Sequence, residues 1–240
     1  MAAVWTVLAL AFAVVWTYAV YREDRRNPEP VWMVILATLS GVGAFYAADR
    51  LQQLLVPGFQ DLHGSIWVRL KLAFLISAPT EETLKLLGIL IFIWPWTHFD
   101  ETMDGIVYGA AAGAGFALVE NLEFMRDQPA VVLARGPIGT GVHVLFTALV
   151  GGALGFSGHL KLRWRKALEV GVGLTLAIMA HGLFNLVTFS AGLEITTGVA
   201  RALQIAILVS CAVFLRWRIG VALKLFPFRI RTRRPAAPKG

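Results

Sequence analysis

An all-α, polytopic transmembrane helix bundle of about seven spans is the fold class this sequence predicts, and three observations predict it. Of the 240 residues, 57% are hydrophobic and only 15% charged, with a mean hydropathy of +0.67. That is too apolar for a soluble domain. The apolar runs have lengths near the roughly 20 residues that cross a bilayer core, separated by short polar or basic joints. They are continuously apolar rather than alternating, so the pattern is not that of a β-barrel.

The expected spans are about 3–21, 31–50, 68–94, 104–123, 139–158, 167–189 and 199–217. The first has no positive residue before it, and Arg22, Arg25 and Arg26 follow it, so it reads as a retained helix rather than a secretory leader. The second ends at Asp49 and Arg50, and the third opens with Arg69 and Lys71, charged pairs suited to the interface. Gly109 and Gly113 in the fourth, and Gly151 and Gly155 in the fifth, have the spacing that lets helices approach closely. The single cysteine, Cys211, lies in the seventh span and excludes both a disulfide framework and a thiolate zinc site. One transmembrane domain, residues 1–218, is expected, followed by a basic tail, 219–240.

Positive charge collects in Arg22 to Arg26, in the joint His159 to Lys166, and in the tail from Arg216 to Lys239. Basic segments stay cytoplasmic, so an odd number of spans places the N-terminus outside and the C-terminus inside, in a multi-pass protein of the cell membrane. The net charge of +7 is then a topology signal with some attraction to anionic lipid of the bilayer, and it implies no nucleic acid partner. Phe226, Phe228 and Ile230, set among the bases of the tail, suit the inner leaflet.

Glu81, Glu82 and Lys85 lie within the third apolar run. An ionisable side chain in hydrocarbon costs at least ~2.5–3.5 kcal/mol on insertion scales, so these three must face a polar cavity or one another. Counted from Arg69, the glutamates lie ~18 Å along a continuous helix, near mid-membrane. Ser77, Pro79 and Thr80 also form a helix-start signal, which would place the acids in a first turn nearer the outer face. Glu120 and Asn121 in the fourth span, His143 in the fifth, and His181 with Asn185 in the sixth reach a similar outer depth. His181 and Asn185, four apart, share a helix face. Plainer readings exist: an i,i+4 pair for Glu81 and Lys85, a polar helix end for Glu120 and Asn121, and bundle packing for His143. His63 and His98 lie in joints and carry no assigned role.

Carboxylates held in an apolar cavity become effective general bases near neutral pH. Histidine and asparagine donors on a facing helix would stabilise the oxyanion formed when water attacks an amide. The order Glu81-Glu82-x-x-Lys85, Asp104-Gly105, Tyr108-Gly109, Gly115-Phe116-Ala117, Glu120-Asn121, His143 and His181-Gly182-x-x-Asn185 resembles the PrsW family of intramembrane proteases, relatives of the CAAX prenyl endopeptidases and bacteriocin-immunity-type membrane proteins. The resemblance spans roughly residues 75–190.

It implies a glutamate-dependent endopeptidase acting on a single-span, membrane-anchored protein, typified by an anti-sigma factor cut on its extracytoplasmic side. Glu81 would activate water, Glu82 would be its partner, and His181 with Asn185 would stabilise the oxyanion. Lys85, Phe116 and Asn121 would bind substrate or support the site. The CAAX branch carries Phe-x-x-x-His where Phe116 is followed here by Glu120, so Glu120 and His143 are both eligible as the second water-activating group and prenylated substrates are disfavoured.

A His-Glu-x-x-His pattern is missing from the chain. Metal-free chemistry is the favoured reading, with zinc on His143, His181 and Glu81 as the alternative. The loops from Val56 to Ile66 and from Glu123 to Ile138 are expected as gates for the substrate. A proton-linked transporter or channel would use the same acid and histidine cluster, although two similar halves with paired broken helices are not evident. A non-catalytic membrane partner is a third reading.

Overall fold

The computed structural model describes residues 2–25, 27–58, 64–225 and 227. The tail residues Phe226, Phe228 and Ile230, and His63 with the middle of the Val56 to Ile66 loop, lie outside the described residues. The helices run α1 (Ala2–Tyr21), α2 (Val31–Leu55), α3 (Ile66–Lys71), a π-helical segment (Leu72–Ser77), α4 (Ala78–Phe92), α5 (Thr102–Asp127), α6 (Val131–Ser157), α7 (Arg163–Ser190) and α8 (Thr197–Ala222). No strand is present among the described residues beyond an isolated bridge between Ala191 and Ile195. Six helices, all but the composite α3 to α4, are long and apolar enough to cross a membrane. The composite one carries Arg69, Lys71, Glu81, Glu82 and Lys85. The chain is a polytopic helical bundle.

The helix-start signal at Ser77 does not break the chain. Lys71 and Ala78, flanking the π-helical segment, both keep right-handed helical angles, so residues 66–92 form one rod. Proline lacks an N–H and its ring collides with the carbonyl four residues back. A wider turn just before Pro79 accommodates both effects, and the π segment lies there.

The expected gate loop from Glu123 to Ile138 is corrected. All but residues 128–130 of it is helical, because α5 runs to Asp127 and α6 starts at Val131 and passes through Pro137. Tertiary packing overrides the turn-forming glycines here: a Cβ on Gly136 would lie 2.4 Å from the Phe12 ring and one on Gly141 2.5 Å from Trp16, so α1 nests into this stretch. Trp16 also donates its indole N–H to the Pro137 carbonyl at 2.9 Å. At the far end, α8 continues four residues past 218, where the tail was expected to begin.

Helices α5 and α6 form the centre. Their apolar windows are 94% buried, against 17% for α1 and α8, which leave Val7, Val14, Val209 and Val213 facing outward as a lipid-compatible surface. Glycine makes the central contact possible: a Cβ on Gly105 would lie 2.0 Å from the Gly151 carbonyl oxygen, and one on Gly109 2.5 Å from that of Thr147. The expected small-residue spacing is thus realised as backbone-to-backbone packing.

The described parts of the basic segments share one end of the bundle. There Arg216 pairs with Glu23 at 3.4 Å and Arg218 with Glu169 at 3.3 Å, and Thr102 meets His159 at 3.0 Å. Asp104 belongs to this end as well: its carboxylate takes the backbone N–H groups of Asp100 and Glu101, capping α5. Tyr108 donates to the Glu29 carboxylate nearby. These two residues of the family-like pattern therefore brace the fold rather than the polar centre.

Candidate active site

Four elements bring their polar groups together: α4 supplies Glu81, Glu82 and Lys85, α5 Glu120, α6 His143 and Thr147, and α7 His181. Glu82, fully buried, is the hub. Its Oε1 accepts from Lys85 Nζ at 2.7 Å and from His181 Nδ1 at 2.8 Å, and its Oε2 accepts from Thr147 Oγ1 at 3.4 Å. Lys85, also fully buried, donates a second bond to His143 Nδ1 at 2.9 Å. That bond leaves His143 Nε2 as the protonated nitrogen, donating to Glu120 Oε2 at 3.1 Å, where Arg135 also donates at 2.8 Å. The series Arg135, Glu120, His143, Lys85, Glu82, His181 alternates donors and acceptors, which is how ionisable groups survive enclosure.

Glu81 faces the same centre differently. Ser77 Oγ at 2.9 Å and Gln52 Nε2 at 3.3 Å hold its Oε1. Its Oε2 is buried without a hydrogen-bond partner, 3.6 Å from His181 Nε2 and 4.0 Å from Lys85 Nζ. In the neutral imidazole that donates its Nδ1–H to Glu82, the His181 Nε2 presents a lone pair toward Glu81. A basic oxygen and a basic nitrogen thus converge on one spot. Phe116 underlies the Lys85 ammonium at 4.0 Å from its ring centroid, and the ring of His143 lies 5.0 Å from that of His181.

The other expected residues sit around this centre. Asn185 donates to Ser77 Oγ at 2.8 Å, and so reaches Glu81 through Ser77. Asn121 donates to Thr140 at 3.0 Å, tying α5 to α6 outside the cluster. Four contributors went unassigned in the sequence. Gln52 lies beyond the expected end of the second span, and Arg135 lies in what reads as a loop. Thr147 sits one turn after His143, a spacing that could have revealed it. Ser77 reads as a cap and is instead a ligand of the Glu81 carboxylate.

Paired carboxylates and histidines enclosed in a multi-pass helical bundle form a buried ionisable centre of the kind that can carry proton-transfer chemistry. Residues 29–215 match the family model described as PrsW family intramembrane metalloprotease, and the chain belongs to that family. It is similar to Protease PrsW of Bacillus subtilis, 32% identical over 70% of this chain and 74% of the relative. Proteins of the same name from Geobacillus kaustophilus (29% identical, 69% of this chain and 71% of the relative) and Clostridioides difficile (26%, 75% and 77%) are also similar. No solved structure matches the chain. The protein is a multi-pass intramembrane peptidase.

The family's description implies a metal, and this chain's residues fit one. One ligand atom each from Glu81, His143 and His181 lie within 4.8 Å of one another, all on buried side chains. Glu81 Oε2 is a buried oxygen without a partner, and the Glu82 carboxylate behind His181 is the outer-shell arrangement that fixes a metal-binding imidazole. One carboxylate and two imidazoles would leave a tetrahedral zinc one position for water. In the arrangement present, the His143 Nδ1 lone pair is taken by Lys85. Recruiting His143 through that atom would require the ammonium to turn away.

Proposed function

We propose that the chain hydrolyses a peptide bond of a single-span, membrane-anchored protein, of the anti-sigma-factor kind, with Glu81 as the base that activates water. The observation that carries this is the buried, unpartnered Oε2 of Glu81 facing His181 Nε2 at 3.6 Å. A water donating its two protons to these acceptors keeps an oxygen lone pair free for attack. As its oxygen bonds to the substrate carbonyl carbon, Glu81 takes the proton. It returns that proton to the amide nitrogen when the C–N bond breaks.

Glu82 orients His181, while Ser77 and Gln52 orient Glu81. Lys85 has a third N–H beyond its bonds to Glu82 and His143, and lies 4.0 Å from the Glu81 oxygen, so it is placed to meet the developing oxyanion. Asn185 supports Glu81 through Ser77 in this reading, rather than touching the oxyanion itself. His143 carries the link from Lys85 to Glu120.

A second reading is favoured by the fit of Glu81, His143 and His181 to a divalent cation. When bound, zinc would polarise the carbonyl and acidify the water. Cleavage of a reconstituted panel of single-span proteins separates the two. Wild type, Glu81→Gln and His181→Ala are compared with and without a zinc chelator. Loss in both variants with indifference to the chelator supports the glutamate mechanism, whereas chelator sensitivity moves the same residues into a metal site. Full activity of Glu81→Gln removes Glu81 from the chemistry.

A further inference from the structure

We propose that the cavity between the outer ends of α6, α7 and α8 is a specificity subsite that takes an acidic side chain of the substrate, on the outer side of the scissile bond. The proposal rests on the reading of Glu81 and His181 as the reacting centre. The cavity measures about 170 Å³ and is lined by Arg135, Ile138, Phe184, Thr188, Arg201 and Gln204 among others. That volume equals roughly six waters at ~30 Å³ each, space for one carboxylate side chain.

Its polar lining is biased to one sign. Arg135 gives one N–H to Glu120, and its Nε is buried with no partner. Arg201 is exposed and makes no ion pair among the described residues. Gln204, buried, donates to Thr188 Oγ1 at 2.9 Å and so closes the wall between α8 and α7. Three acids at this end are already matched: Glu120 with Arg135, Glu123 with Arg126 and Glu194 with Arg69. The cationic excess therefore falls on Arg201, with the Nε–H of Arg135 as an unused donor in the wall, and a planar guanidinium is suited to a carboxylate.

Connection to the reacting centre comes through two elements. Arg135 holds Glu120, which holds His143, so a group bound at Arg135 lies at the end of the site's own hydrogen-bond series. Thr188 lies seven residues beyond His181 on α7. At 1.5 Å per residue that is ~10 Å outward, which an extended substrate spans in about three residues. The acidic preference is thus expected about three residues from the cut, toward the outer juxtamembrane side.

The test uses full-length protein in phosphatidylcholine vesicles. A pool of single-span helices with a randomised outer juxtamembrane segment is captured by cross-linking to the Glu81→Gln protein, with Arg201 intact or changed to Glu, and the captured segments are sequenced. Enrichment of Asp and Glu roughly fivefold at one position, the discrimination of a partly exposed ion pair, and its inversion toward Lys and Arg by Arg201→Glu are expected. Capture without acidic enrichment, or enrichment indifferent to Arg201→Glu, overturns the subsite. So does an Arg201 effect that appears only when anionic phospholipid is added, since the cavity would then be reading lipid phosphate. Because capture needs no turnover, acidic enrichment in a protein whose Glu81→Gln form still cleaves would sink the Glu81 mechanism while leaving the recognition in place.

Discussion

One imidazole bridges two adjacent carboxylates: His181 Nδ1 lies 2.8 Å from Glu82 Oε1, and His181 Nε2 lies 3.6 Å from Glu81 Oε2. Neighbours on a helix point about 100° apart, so the two acids can meet the same ring only at its two different nitrogens. That geometry divides their labour. Glu82 is saturated with donors, whereas Glu81 keeps one oxygen open.

The two glutamates should therefore fail differently. Glu81→Gln is expected to cut the cleavage rate by about 10²–10⁴-fold, the loss typical of a general base, with the fold retained. Glu82→Gln takes from the enclosed Lys85 ammonium its hydrogen-bonded counter-charge, leaving only Glu81 at 4.0 Å, and is expected to cost ~3–5 kcal/mol of stability as well as activity. Thermal unfolding in detergent beside cleavage assays distinguishes them: equal melting temperatures for the two variants would contradict this division.

Lys85 is tested by the same contrast. Lys85→Met keeps the volume over Phe116 but strands Glu82 and deprives His143 of its Nδ1 donor. The single variant should be destabilised by ~3–5 kcal/mol. Adding Glu82→Leu should return part of that stability without any activity, because replacing both members of a buried pair is far less costly than removing one. A double variant no more stable than the single one would mean that the pair is not the main electrostatic bond of the site.

Much of this site is legible in the sequence because membrane burial makes charge expensive: Glu81, Glu82, Lys85, His143 and His181 stand out against their apolar surroundings, and the structure brings all five together. What escapes is polar but cheap. Thr147 and Ser77 are ordinary in membrane helices, since a hydroxyl can always return its proton to the preceding turn, so little beyond the one-turn spacing of Thr147 from His143 marks them as ligands of Glu82 and Glu81. Arg135 is hidden by Gly136, Pro137 and Gly139, which signal a turn. The helix there is stabilised by long-range packing of Phe12 and Trp16, information that no local window contains.

Metal content offers a third prediction. If a divalent cation occupies the centre, the purified protein should carry about one zinc per chain, and His143→Ala or His181→Ala should lower that content, since each removes a ligand. Under the glutamate mechanism, elemental analysis should find substoichiometric metal unaffected by either substitution, with activity indifferent to the chelator.

The last prediction concerns the backbone contact that sets the height of His143. A Cβ on Gly113 would lie 2.4 Å from the His143 carbonyl oxygen and 2.9 Å from Val144 Cα, both backbone atoms that cannot rotate away. Gly113→Ala must therefore push α6 from α5. The expected cost is ~1–3 kcal/mol of overpacking, together with a fall in turnover, because the bonds from His143 to Lys85 and Glu120 lengthen with the shift. Gly43 on α2 is the control: a Cβ there meets nothing within 4 Å, so Gly43→Ala should leave activity unchanged and stabilise the helix by up to ~1 kcal/mol. Unfolding midpoints and turnover for the pair decide the matter, and a Gly113→Ala protein indistinguishable from Gly43→Ala would show that the α5–α6 contact does not position the histidine.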